Sequence, residues 1–123
     1  AAKGRDYSIM ISDSLRAKHC PPGGEYELGG HPIEIRDNGL AYLKGTDTIA
    51  GSTLHINRGL RLLVEEALGP FDAALNACTI NPARCLRVDD HKGRLAAGYD
   101  ADLVVLEDNY DVCQTYCKGV AML

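Results

Sequence analysis

Apolar and polar positions along this chain fall into blocks of changing period. Ile9, Met10 and Ile11 form a short apolar run within residues 8–12, which predicts a strand buried on both faces of a parallel sheet. The run ends at Asp13. The prolines and glycines of residues 21–24 predict a loop from Leu15 to Gly24 without regular structure. Residues 25–28, 33–36 and 40–43 then alternate with a period near two around Gly29-Gly30 and Asp37-Asn38-Gly39, the pattern of a small antiparallel meander. Its strands are short and polar, so they are expected to pack on something else.

The period becomes helical after Ser52. Ile56, Leu60, Leu63, Val64, Ala67 and Leu68 share one face, with Ser52 expected as the N-cap and Gly69-Pro70 as the stop. Pro70 opens a second helix with Phe71, Ala74, Leu75 and Cys78 on one face. Asn81 caps a third, which Pro82 opens and which runs to Leu86 with Ala83 and Leu86 inward. Residues 100–107 predict another strand buried on both faces, residues 111–117 alternate again, and Lys118-Gly119 turns the chain into a last strand over residues 120–123. No repeat or linker interrupts the order strand, meander, helices, strands.

At 123 residues and 46% apolar content, the chain suits one domain with an ordinary core. A net charge of -4 and a pI near 5.5 leave no basic stripe, so nucleic acid is not an expected partner. No apolar run approaches a membrane span, and the polar start Ala1-Ala2-Lys3-Gly4-Arg5-Asp6 has no signal region. The expected setting is cytoplasmic, without a membrane. The first residue is Ala and the first expected strand begins only about seven residues later, so the chain is expected to be cut from something longer or trimmed at its start. Five cysteines, Cys20, Cys78, Cys85, Cys113 and Cys117, form no CxxC pair; reduced thiols are expected, acting as small buried hydrophobes. His19, His31, His55 and His91 are isolated in sequence and make no metal site by spacing, which leaves them as surface residues.

Asp13 is the first candidate for chemistry. An ionised carboxylate beside an apolar run is costly unless it reaches a polar cavity or a partner; the alternative is an Asx turn opening a loop. Asp100 and Asp102 are expected to satisfy backbone groups at the turn into their strand.

Several segments together resemble the amidohydrolase superfamily. Lys92-Gly93-Arg94-Leu95 through Gly98-Tyr99-Asp100-Ala101-Asp102-Leu103-Val104-Val105-Leu106 looks like its closing signature, where the chain returns to a small β-sandwich. Thr79-Ile80-Asn81-Pro82-Ala83 is similar to the helix before that signature. Ile11-Ser12-Asp13-Ser14, residues 24–30 and Ile49-Ala50-Gly51-Ser52-Thr53 resemble the family of N-acetylglucosamine-6-phosphate deacetylases in particular. The resemblance covers essentially the whole chain but only the C-terminal third of such an enzyme. Arg87 departs from it, standing where a small residue usually ends the helix.

The resemblance implies an α/β fold: a C-terminal fragment of an amidohydrolase-type βα barrel, with the last strand, a meander and the terminal helices in residues 1–91, and strands of the small β-sandwich in residues 92–123. It implies a metal-dependent amide hydrolase acting on a phosphorylated amino sugar, with Asp13 as the catalytic carboxylate ending the last barrel strand. It also implies Ile49, Ala50 and Gly51 as a segment whose backbone lines the sugar pocket, although small residues before a helix serve equally for simple capping. The cofactor would be a divalent metal, zinc or iron, with no ligand in this chain. A partial enzyme is expected to be inactive alone and to associate with its missing part or with copies of itself. The competing readings are a stand-alone β-rich interaction module and an amidohydrolase of dihydroorotase or amino-acid deacylase type.

Overall fold

The computed structural model describes residues 4–20, 24–67 and 69–122, and their contacts divide the chain into two units, Ser12–His55 and Ala1–Ile11 with Ile56–Leu123.

In Ser12–His55, strands β1 (Tyr26–Leu28), β2 (His31–Ile35), β3 (Leu40–Leu43) and β4 (Ile49–Ser52) form one antiparallel sheet in sequence order. The first three are the expected meander. Gly29 and Gly30 take φ of 58° and 82°, the conformation a two-residue hairpin needs and side chains resist. The next turn closes through Asn38, whose Oδ1 accepts the Leu40 N–H at 3.0 Å. Arg36 joins strand to loop: its guanidinium lies 3.9 Å from the Tyr42 ring centroid and binds Glu34 at 2.9 Å and Asp47 at 2.8 Å. Ala17, Ile33 and Ala41 are buried.

Two expectations fail in this unit. Arg16–His19 forms one turn of 3-10 helix inside the expected loop, because the Leu15 carbonyl accepts the Lys18 N–H at 3.1 Å and the small Ala17 turns inward; Pro21, Pro22 and Gly23 lie outside the described residues. Ser52 does not cap a helix. It ends β4, because the open edge of β3 captures residues 49–52 as a fourth strand, and the helix starts only at Ile56.

The second unit holds helices α1 (Ile56–Glu65), α2 (Phe71–Cys78) and α3 (Ile80–Leu86) and the antiparallel sheet β5 (Leu103–Leu106), β6 (Val112–Cys117) and β7 (Val120–Met122). Along α1, Gly59 and Leu60 are buried while Ile56 is exposed, and Leu68 lies outside the described residues. In α2 the buried face is Ala74 and Ala77, and Phe71 and Leu75 point to solvent; small side chains let helices approach closely, which overrides the larger apolar stripe. Asn81 does not cap α3. It is the second helical residue, buried, with Nδ2 donating to the Arg5 and Ser8 carbonyls at 2.8 Å each. Leu86 is exposed, and Arg87 ends α3 in the left-handed conformation, φ 59°, that glycine usually supplies.

Residues 8–12 are not a paired strand. Among the described residues no strand flanks them; the Met10 N–H donates to the Ala77 carbonyl at 2.9 Å, and Ile9 and Ile11 are exposed. A parallel strand needs hydrogen-bonding neighbours along its length, and among the described residues the segment finds only one isolated bridge, Ser14 to Ser52, beyond its end. Nor is β5 buried on both faces, since Val104 and Val105 are exposed. The same lack of cover changes the cysteines: all five thiols are free, but Cys20, Cys85, Cys113 and Cys117 are exposed and only Cys78 is partly buried, where burial pushes its thiol pKa up. No helix among the described residues is long and apolar enough to cross a membrane.

Candidate functional site

Asp13 sits in a turn beside β4, within the unit of Ser12–His55. Its φ is 48°, a left-handed backbone that costs a non-glycine residue about 1 kcal/mol or more and clusters at functional sites. Its side chain is exposed. Backbone bonds hold the turn: the Ser52 N–H donates to the Asp13 carbonyl at 2.9 Å and the Leu15 N–H to the Ser52 carbonyl at 3.0 Å, giving a single parallel bridge between Ser14 and Ser52. The Ser52 hydroxyl donates to the Ser12 carbonyl. The carboxylate therefore stands in a turn joined to β4 by one isolated parallel bridge, and not at the end of a paired strand.

This arrangement brings Asp13 beside the segment Ile49, Ala50 and Gly51. Ile49 pairs with Tyr42 and Gly51 with Ala41, so Ala50 falls in a β-bulge, an irregularity common beside active sites. Ile49 is exposed, Ala50 half-buried and Gly51 buried. Gly51 has φ of 151°, and a Cβ there would meet the Leu15 side chain at 2.9 Å. Only glycine lets Leu15 close onto β4 and carry Asp13 with it. The segment is thus strand and not the approach to a helix N-terminus, which removes the helix dipole as a source of anion binding at this point.

The neighbours Ser14 and Ser52 complete the turn; from sequence Ser52 is expected only as a helix cap and Ser14 has no role. The Ser14 hydroxyl is buried without a hydrogen-bond partner among the described residues, an unusual state for a buried polar atom. Its only sequence signal is adjacency to Asp13. For a metal the residues do not fit: among the described residues no group of three or more His, Cys, Asp or Glu side chains is placed to hold an ion, and a structural or catalytic site needs at least three protein ligands.

The remaining candidates lie elsewhere. His19 and His55 are not isolated, since their rings meet edge to face at 5.4 Å between centroids; His91 Nδ1 lies 2.5 Å from Asp90. Asp102 accepts the Lys118 N–H at 2.8 Å, the backbone role expected of it. Asp100 and Asp102 also both receive Lys92 Nζ, at 2.7 and 2.5 Å. The bond to Lys92 holds both carboxyls below the usual carboxylate range and raises the ammonium above its ordinary value, chiefly through Asp100.

Comparison with known proteins adds the relationship. The amidohydrolase family model matches residues 31–122. N-acetylglucosamine-6-phosphate deacetylase of Bacillus subtilis (strain 168) is 37% identical over 118 residues, 96% of this chain and 29% of the relative. The enzyme of that name from Danio rerio is 37% identical over 112 residues, 90% of this chain and 27% of its own. The crystal structure of N-acetyl-D-glucosamine-6-phosphate deacetylase from Mycobacterium smegmatis superposes with a TM-score of 0.87 at 33% identity, covering 98% of this chain and 32% of that one. A second structure from that organism, an aspartate-to-alanine mutant in complex with N-acetyl-D-glucosamine-6-phosphate, gives 0.85 at 34%, covering 96% and 31%. The chain spans less than a third of these relatives, and its α/β fold is that of the matching part of them.

Proposed function

The chain belongs to the amidohydrolase family, and from that premise we propose that it is part of an N-acetylglucosamine-6-phosphate deacetylase, cleaving the amide of N-acetylglucosamine 6-phosphate to acetate and glucosamine 6-phosphate in amino-sugar catabolism. The observation that carries this reading is the exposed carboxylate of Asp13, held in a left-handed turn beside the bulged, glycine-bearing strand of Ile49, Ala50 and Gly51. In support, the bacterial and vertebrate relatives named above carry that activity in their names, and the mycobacterial relative with bound sugar phosphate is an aspartate mutant.

In this reading Asp13 takes the proton of the attacking water and returns it to the amine as the C–N bond breaks, so the group is a base and then an acid within one turnover. Ile49, Ala50 and Gly51 present backbone to the sugar. A divalent metal, zinc or iron, would be held by residues outside this chain and would supply polarisation of the carbonyl. Residues 1–91 then form the last strand, meander and helices of a βα barrel and residues 92–123 strands of a β-sandwich. The piece is inactive alone, the enzyme is cytoplasmic, and its exposed apolar surfaces are covered by the rest of the polypeptide or by further copies.

The test is Asp13→Asn in the full-length enzyme. Asparagine accepts the left-handed backbone, so fold and substrate affinity are expected to persist while kcat falls by about 100-fold or more. A variant keeping more than about a tenth of wild-type kcat would remove Asp13 from proton transfer.

A further inference from the structure

Arg5, Arg84 and Arg94 line one open cavity of about 400 Å³, with Asp6 and Asn76 also in its wall. All five belong to the unit of Ala1–Ile11 and Ile56–Leu123, and none belongs to the Asp13 turn. The charges in the cavity are unevenly matched. Arg5 has a close carboxylate, Asp72 at 2.7 Å. Asp6 stands at 4.0 Å from both Arg5 and Arg84, at the outer limit of an ion pair. Among the described residues, no carboxylate reaches Arg94. In a chain of net charge -4, the cavity is a local surplus of positive charge.

Two devices hold these arginines in place. The buried Asn81 amide bonds the Arg5 and Ser8 carbonyls at 2.8 Å each, which fixes the segment bearing Arg5 and Asp6 against α3. Gly93, at φ 85°, lies so close to α3 that a Cβ would sit 3.0 Å from the Ala83 side chain, the Ile80 Cα and the Thr79 carbonyl. That seating brings the loop carrying Arg94 onto the helix carrying Arg84. Guanidinium groups in the wall of one cavity offer the paired N–H donors that match the oxygens of a phosphoryl group.

We propose that this cavity binds a small phosphate monoester, with Arg84 and Arg94 taking the phosphoryl oxygens, Arg5 adding charge at the rim and the Asn76 amide meeting the remainder of the molecule. The volume is that of a pocket for a compact metabolite. Because the arginines are half exposed, with side-chain exposures of 58% for Arg5 and 42% for Arg84, binding is weak, rapidly reversible and salt-sensitive. The site stands independently of the deacetylase reading, since the two share no residue.

Calorimetric titration of the full-length protein with glucose 6-phosphate, inorganic phosphate and glucose tests it. The expected result is saturable binding of glucose 6-phosphate, weaker binding of phosphate and none of glucose. Arg94→Ala, an exposed loop substitution, and the bulk-preserving Arg94→Gln should each weaken glucose 6-phosphate binding by about tenfold, the loss of one charge-assisted contact, and Arg94→Lys should recover part of it. Affinity unchanged in both Arg94→Ala and Arg94→Gln would put the ligand elsewhere in the protein and overturn the proposal. Phosphate bound as tightly as the sugar phosphate would overturn the monoester and leave the free ion as the occupant.

Discussion

Ile33 and Ala41 in the β1–β4 sheet are 3% and 0% exposed, whereas no described residue of β5–β7 is buried, and Val104, Val112, Val120 and Met122 stand in solvent. Both sheets are antiparallel throughout, and each has a tight turn on glycine, at Gly29-Gly30 in the first and at Gly119 in the second. The difference is what each meets within the chain. Alternation states that a strand has two faces and is silent on what covers either. The first sheet closes over residues of its own unit. The second is held by its ends, through Lys92 with Asp100 and Asp102, the Lys118 N–H on Asp102, and the Gly119 N–H on the Ala101 carbonyl at 2.9 Å.

That contrast can be broken by substitution. Ile33→Ala should lower unfolding free energy by about 2–4 kcal/mol through lost burial and a residual cavity, while Val104→Thr should stay within about 0.5 kcal/mol. Urea denaturation reads both, and equal losses would erase the distinction between the sheets. Gly51→Ala tests the strained strand: the φ of 151° and the 2.9 Å approach to Leu15 should cost about 1–3 kcal/mol. Adding Leu15→Ala should return the steric part, and a strictly additive double mutant would show that Leu15 is not the obstacle.

The smallest effect concerns the ends of the second sheet. Hydrogen bonding to Lys92 keeps the Asp100 and Asp102 carboxyls low, so their contribution is complete above about pH 4, the ordinary carboxylate value, and fades as pH falls through their lower folded values. The raised Lys92 ammonium contributes below about pH 10 and fails only as pH rises past its folded value. Lys92→Ala should therefore lower Tm by a modest, constant amount between these limits, with the gap to wild type closing in acid. A gap that widens in acid would show that Lys92 acts by packing.

What could be read from residues alone follows the range of the interactions. Gly29-Gly30 and Asn38-Gly39 announce β1, β2 and β3 because turn chemistry is local. The fourth strand is not announced, since Ser52 reads equally as a cap and only the open edge of β3 decides between them. Phe71 and Leu75 outrank Ala74 and Ala77 by hydrophobicity, yet neighbouring helices select the alanines. Asp13 was visible as an acid closing an apolar run; its hold on Ser52 was not, and neither was the meeting of Arg5, Arg84 and Arg94, because each joins residues far apart in the chain.

The bond from Ser52 to Ser12 spans 40 residues, and the Gly29-Gly30 hairpin closes over two glycines. Closing a loop costs about 0.6 kcal/mol more for each doubling of its length, so the hairpins assemble on local terms and the Asp13 turn waits for them. The order of assembly follows from topology: the meander must exist before its last strand offers an edge, and only then is the carboxylate fastened. Among the described residues of its unit the acid is held by the backbone pairing most distant in sequence, so its turn depends on the whole meander that lies between.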